Sequence, residues 1–570
     1  MASASTVQHS QPASAGPSAT TAVPDDHGTP ERTMRFWLVY VALCTSLLLT
    51  ALDLGGVGTA APTIVSDLHG RDFVWVASAY NLSSAACLPF SGRLAQIFGR
   101  RPTMLGALGI FAVGSAVAGA APSMAVLILG RAIQGVGGGG IQSISSIVTA
   151  DLVPLRERGL FTGITGVIYT LGSATGPFIA GGLAQSGHWR WLFYMNLPIC
   201  AVAIVVVFCF LQLKTPEGGM RERLKKLDWL QVGNALIISS TTSIILGITW
   251  GGVRYPWSSP NTLCPLVLGA IGLPAALYYE TRWAEQPTVP LVVLSNRTSI
   301  AGYLATFLHG IVSITAGSRT RSPTWFQSVR LADPVRSGLD FLPISLTISP
   351  SAIAQGLLVA KLGRYRGLNL AGWVLMLAGM ALFTTLHVRT PVGVLAVYQI
   401  VQGLGMGLLY CTYFPVLAPL PLSANASAVA LVAFTRAFAQ AWGVAVSGTI
   451  LQHALARRLP PDVRALLPAD AELVYAAVAR MPSLPPPLRA AAQAAFAGAL
   501  REVWIAMAAL CGAGMLTVPA MRAHPLRKTT DRAWGLKEGE KKDTDGGRED
   551  DAAHEKGEGE QPGQPSLTNS

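Results

Sequence analysis

Long apolar runs separated by short polar breaks cover most of the chain. A helix needs about 20 largely uncharged residues to cross the hydrocarbon core of a bilayer. Fourteen runs have that pattern: 36–60, 74–94, 103–122, 124–149, 160–184, 191–211, 229–249, 262–280, 298–317, 338–360, 367–387, 391–417, 425–452 and 497–519. The pattern predicts an all-α integral membrane protein with fourteen transmembrane helices. The breaks predict its orientation, because basic residues collect on the cytoplasmic side. Alternate breaks carry Arg93, Arg100 and Arg101; Arg156 and Arg158; Lys214, Arg221, Arg223, Lys225 and Lys226; and Lys361, Arg364 and Arg366. The even count then puts both termini in the cytoplasm.

Two places depart from this scheme. The linker at about 453–496 carries Arg457, Arg458 and Arg464 on the outer side, which a long loop tolerates. The ninth run ends in Ser-Arg-Thr-Arg-Ser-Pro, 318–323, which brings Arg319 and Arg321 to the same side. Two readings of that stretch stay open. Either the interruption is foreign to the native coding sequence, or a discontinuous helix lines an aqueous outer mouth with arginines.

Composition agrees with a membrane body. Charged residues make up 13% of the chain and hydrophobic residues 51%, against about 25% charged in soluble proteins. The segments 1–35 and 521–570 are poor in apolar residues and read as disordered tails. The formal charge of +12 therefore belongs to the body, where basic loops face anionic lipid; this argues against nucleic acid as a partner. The seven cysteines fall in apolar runs without disulfide or zinc spacing and read as packing residues. No basic region, short apolar stretch and cleavage site open the chain, so no removable signal is expected.

The runs also repeat. Gly92 and Gly99-Arg100 match Gly356 and Gly363-Arg364 at a separation of 264, and Gln134-Gly135-Val136-Gly137 matches Gln402-Gly403-Leu404-Gly405 at 268. Two matches in order at nearly one offset make runs one to six and nine to fourteen related halves, with runs seven and eight inserted between them. The expected organisation is 36–211, 212–297 and 298–520, flanked by the tails.

These residues carry a family resemblance over nearly all of 36–520. Gly92, Gly99, Arg100 and Arg101 resemble the signature after the second span of the major facilitator superfamily. The stretch 127–135 (LILGRAIQG) resembles its fourth-span signature. Gly172, Gly176, Pro177, Gly181 and Gly182 resemble the fifth-span motif of its antiporters. Leu52-Asp53 with Ala61-Pro62 is similar to the first-span signature of the fourteen-span drug:proton antiporter branch. Trp189-Arg190-Trp191, Phe193, Asn196 and Pro198 resemble fungal toxin and multidrug efflux pumps. Gln96 departs from the pattern, which removes an acidic partner for Arg100 or the neighbouring helix. A second departure is the SRTRS stretch ahead of Pro323-Thr324-Trp325-Phe326-Gln327.

Charges within the membrane are candidates for function because each is costly there unless paired or hydrated. Asp53 is the only carboxylate deep in a run; Arg131 and Arg436 are the deep arginines and His309 the deep histidine. Asp53 lies seven residues before the outer end of its run and Arg131 seven after the outer start of its own, so both sit about 10 Å below the outer surface. Gln134 shares a helix face with Arg131. Asp53 is a candidate to bind a proton or a cationic substrate, with a permanent Asp–Arg clamp as the alternative. Arg436 and His309 are further coupling or substrate candidates; the alternative for Arg436 is an internal salt bridge or a backbone-carbonyl ligand, and for His309 a packing role. Tyr80, Tyr169 and Trp442 are candidate cavity aromatics. Gly92, Gly99, Arg100 and Arg101 form an expected cytoplasmic gating turn.

Small residues let helices approach closely in lipid. The strip Gly172, Gly176, Gly181, Gly182 with Pro177 therefore reads as a seam along which the halves slide. The glycines 135–140 lack the strand and lysine of a nucleotide site. With no metal cluster, nucleophile triad or cofactor motif, the chain reads as a non-enzyme that uses no cofactor. The resemblance implies proton-coupled efflux of drugs, toxins or fungal secondary metabolites at the plasma membrane by alternating access. It implies lipid as surroundings and no obligate protein partner. The alternatives are a vacuolar basic amino-acid or siderophore transporter, and a non-transporting membrane receptor or scaffold.

Overall fold

The computed structural model describes residues 33–68, 74–213, 232–251, 255–283, 289–317, 322–332, 334–467 and 473–527. The remaining parts of both tails, together with Arg319 and Arg321, lie outside the described residues. Fourteen long helices follow in order: α1 Met34–Leu68, α2 Val74–Phe98, α3 Arg100–Gly119, α4 Met124–Leu152, α5 Arg158–Gln185, α6 Asn196–Phe210, α7 Val232–Trp250, α8 Pro260–Arg282, α9 Arg297–Gly317, α10 Leu342–Leu362, α11 Arg366–Phe383, α12 Val392–Leu408, α13 Asn425–Arg458 and α14 Pro486–Met515. Each coincides with one apolar run. Among the described residues there is no strand beyond an isolated bridge between Gly251 and Tyr255.

Among the described residues twelve stretches are long and apolar enough to cross a membrane, and α2 is not among them. Polar Asn81, Ser83, Ser84 and Ser91 dilute α2, whereas α7 carries no charged residue over Val232–Trp250. Both lie against other helices, α2 on α4 and α7 on α8, which reduces the surface each shows to lipid.

Helix ends depart from the apolar runs in places. The twelfth run, 391–417, breaks after Leu408 and resumes only as the short helix Tyr413–Leu417. The linker expected at about 453–496 shrinks because α13 runs on to Arg458 and α14 begins at Pro486. Apolar content marks what sits in lipid, whereas helix extends into polar sequence when side chains support it. Here Glu502 on α14 pairs with Arg457 at 2.9 Å and Arg458 at 2.5 Å.

The repeat is visible in backbone geometry. Gly99 and Gly363 both adopt positive φ, 94° and 67°, at the turns into α3 and α11. Glycine takes that conformation without steric penalty. The same pairing extends to packing. A Cβ on Gly137 would lie 2.5 Å from the Phe111 nitrogen, and one on Gly405 would overlap that of Met376, 265 residues later. Gly135 lies against the Tyr80 carbonyl of α2, and Gly403 against the Ile344 carbonyl of α10. The α3–α4 and α11–α12 pairs therefore share one glycine lattice.

The halves meet through crossed pairs, α2 on α13 and α10 on α5. The contact residues are themselves related. Gly92 faces Ala430, at 2.7 Å for an added Cβ, while Gly356, its repeat partner, faces the backbone of Gly159. Arg156 Nε donates to the Ala360 carbonyl at 2.5 Å, and the Thr162 and Tyr413 hydroxyls lie 3.0 Å apart across the same seam.

Candidate functional site

Five helices of the first half converge on Asp53. Helix α1 carries the carboxylate, and α4 brings Arg131 and Gln134 from one face. Arg131 Nη1 donates to Asp53 Oδ2 at 2.5 Å and to Gln134 Oε1 at 2.6 Å. Gln134 Nε2 donates to Asp53 Oδ1 at 2.9 Å and to Ser115 Oγ of α3 at 2.9 Å. Asn196 Nδ2, at the start of α6, donates to the same Oδ1 at 3.0 Å. Arg131 Nε reaches the Val76 carbonyl of α2 at 3.1 Å, and its guanidinium lies 4.6 Å from the centre of the Tyr80 ring. The two charged side chains are 1% and 0% exposed, so each relies on the other and on these neutral groups in place of water. The pairing that equal depth permits is present. Asn196 stands out in the sequence only through the motif it shares with Phe193 and Pro198, not as a partner of Asp53, and Ser115 not at all, because a serine on an apolar helix has no distinguishing spacing.

The second half keeps the geometry and loses the charge. Gln399 stands where the repeat places Arg131, and its Nε2 donates to the Asp340 carbonyl at 2.9 Å, the counterpart of the Arg131–Val76 bond. Gln402, the counterpart of Gln134, is fully buried with both amide atoms unpartnered by protein. Gly176 rests on the Leu52 carbonyl and Gly443 on that of Ile311, a register that aligns Asp53 with buried Val312.

Arg436 and His309 are therefore not part of the Asp53 cluster. Arg436 Nη2 donates to the Tyr410 carbonyl at 2.6 Å and the Thr412 hydroxyl at 3.3 Å, over the break after α12, with its guanidinium 4.7 Å from the Tyr410 ring centre. His309 is 3% exposed; its Nε2 lies 3.3 Å from the Met406 carbonyl. Of the aromatic candidates, Tyr80 is buried beneath Arg131, Trp442 packs with Phe438 against Ile248 of α7, and Tyr169 is half-buried.

At the basic-loop end, Arg100 is buried, with its Nε 2.8 Å from Asp151 Oδ2 and its Nη1 2.9 Å from the Ala95 carbonyl. Arg100 thus has an acid after all: the charge absent at position 96 is supplied by the last turn of α4. Gln96 itself crosses to the other half, its Nε2 3.2 Å from Ser427 Oγ. Arg101 donates to the Phe208 carbonyl at 2.6 Å and lies over that ring at 4.4 Å.

The glycine strip on α5 requires a correction. An added Cβ on Gly172 would meet Ala51 at 2.9 Å, and one on Gly176 the Leu52 carbonyl at 2.7 Å. Both are residues of α1, so the strip joins helices of one half. Gly182 meets nothing within 4 Å and Gly181 is half-buried; the Pro177 side chain lies outside the described residues. The face of α5 that meets the other half carries Gly159, Gly163 and Thr170 instead.

Two related six-helix halves of long apolar helices, with ion pairs buried within the bundle, define a multi-pass membrane protein. The chain belongs to the Major Facilitator Superfamily, which it matches over residues 43–444. It is 37% identical to the "Efflux pump FUS6" of Gibberella fujikuroi, over 88% of this chain and 92% of that protein. It is also 37% identical to the "Acurin A biosynthesis cluster MFS-type transporter" of Aspergillus aculeatus, over 90% and 95%. Among solved structures, a human organic anion transporter superimposes with a TM-score of 0.52 at 17% identity, over 86% of this chain and 99% of that one. The proton:xylose symporter XylE gives 0.52 at 13%, over 86% and 97%. These two establish likeness of fold.

Proposed function

We propose that the chain exports small, largely apolar organic molecules, such as toxins or secondary metabolites, in exchange for protons. The observation that carries this reading is the Asp53 cluster. Arg131 is held by the Val76 carbonyl, the Gln134 amide and the Tyr80 face as well as by Asp53. Protonation of Asp53 would therefore leave the arginine partly satisfied, a requirement for a carboxylate that titrates during a cycle rather than serving as a fixed clamp. The names of the fungal relatives support the outward direction and the substrate class. In this reading all fourteen helices cross the plasma membrane, the basic loops and both tails are cytoplasmic, and α7 with α8 forms an insert between the halves. Arg100, Arg101 and the Gly92–Ala430 contact belong to the cytoplasmic gate.

Asp53→Asn tests it, because the change keeps volume and removes the titratable group. In transporter-deficient yeast challenged with a panel of lipophilic toxins, the native chain should confer resistance and Asp53→Asn should not, at equal amounts in the membrane. In inverted vesicles the compound so selected should dissipate an imposed pH gradient only with the native chain. Full resistance and full proton exchange in the variant would refute the coupling role.

A further inference from the structure

We propose that Arg436, set over the helix break after α12, binds the carboxylate of an otherwise apolar organic substrate. The inference rests on the export reading only in treating the ligand as transported.

Arg436 lies eleven residues into α13 and His309 twelve into α9, so both are about 16–18 Å along their helices, at mid-membrane. Two buried arginines of the core have acids, Arg131 with Asp53 and Arg100 with Asp151, whereas buried Arg158 at the start of α5 donates to the Ala150 and Val153 carbonyls. Among the described residues no carboxylate lies within ion-pair distance of Arg436. Its neighbours offer only neutral compensation. The Tyr410 carbonyl and Thr412 hydroxyl accept from Nη2, while Nε and Nη1 donate to no protein group. The residue is half-buried rather than sealed. One turn further along the same face, Gln440 is also half-buried and makes no hydrogen bond to protein. Unused guanidinium donors beside an amide, in a setting of low dielectric, favour an oxyanion such as a carboxylate. The register of Gly176 on Gly443 places Tyr169 at the corresponding position of the first half, so this charge is a feature of the second half alone.

A capping role explains the Tyr410 bond, since a cation suits the C-terminal end of a helix. It does not require the remaining donors to be free, nor does it discriminate among ligands. The test exploits that difference. Radiolabelled 1-naphthaleneacetate is bound to the full-length protein in nanodiscs and displaced by unlabelled acid or by its isosteric amide. The panel is extended with further matched acid–amide pairs of larger apolar compounds. The acid should displace roughly tenfold better than the amide in the native protein. Arg436→Gln should abolish that preference, and Arg436→Lys, which keeps the charge, should retain part of it. No pair in which the acid binds more tightly, or a preference surviving in Arg436→Gln, would overturn the proposal. If Arg436→Gln fails to fold, the native acid–amide comparison and Arg436→Lys still decide. Asp53→Asn should keep the acid preference while losing proton exchange, so the two readings fail separately.

Discussion

Gly163 on α5 offers a direct test of whether the crossed seam opens. An alanine Cβ there would lie 2.6 Å from Ile353 Cγ1 and 2.9 Å from the Ile353 nitrogen and Cα. Two of those atoms are backbone of α10, so no rotamer change removes the overlap. Carbon atoms pack best at about 3.5–4.0 Å, so α5 and α10 must part by roughly 0.6–1.1 Å. Overpacking of this kind costs about 1–3 kcal/mol. The strain falls between the halves, so parting them relieves it, and an equilibrium between closed and open seams shifts by about 5–150-fold. The assay is labelling of a single cysteine, Thr162→Cys, by an impermeant maleimide applied to the basic-loop side, in an otherwise cysteine-free chain. Gly163→Ala should speed labelling within that range. Gly367→Ala, where nothing lies within 4 Å of an added Cβ, should leave it unchanged. Unaltered labelling in a stably folded Gly163→Ala protein would mean that the bundle absorbs the overlap and the seam does not open.

Arg131→Met strands a carboxylate that is 0% exposed, and breaking such a pair costs about 3–5 kcal/mol. Adding Asp53→Asn should restore most of the melting temperature in detergent, and a double variant no more stable than the single would deny the pair its dominant place. Gly176→Val should lower the melting temperature by forcing α5 from α1 while leaving Thr162→Cys labelling unchanged. Faster labelling there would return the strip to the seam between the halves.

Helix placement was legible because lipid imposes one rule on every segment: enough apolar length to cross. The repeat was legible for a similar reason. Gly99 and Gly363 need positive φ, and Gly135 and Gly403 need close approach, so sequence and geometry coincide at those positions. Depth along a helix also brought Asp53 and Arg131 to one level. Rotation about the helix axis was less accessible. An added Cβ on Gly176 points at α1, whereas a run of glycines looks the same from every side. The same limitation hid Asp151, 51 residues from its partner Arg100, and the Asn196 and Ser115 bonds. Each depends on which face of a helix meets which neighbour, and an apolar run does not encode that by spacing alone.

The halves differ where their physics allows them to. Glycines that admit a crossing backbone cannot be replaced without moving a helix, so Gly137 and Gly405 keep equivalent contacts at 268 residues' separation. A buried ion pair carries no such geometric necessity. Gln399 makes the carbonyl bond of Arg131 without its charge, and Val312 fills the place of Asp53. Once one half is relieved of an internal acid, an arginine there has no fixed counter-charge and is free to take one from outside. In the proposed cycle, a proton would answer to the half that retains its carboxylate and an anionic substrate to the half that has lost it. On that reading, two similar bundles carry two unlike sites, one for each of the exchanged species.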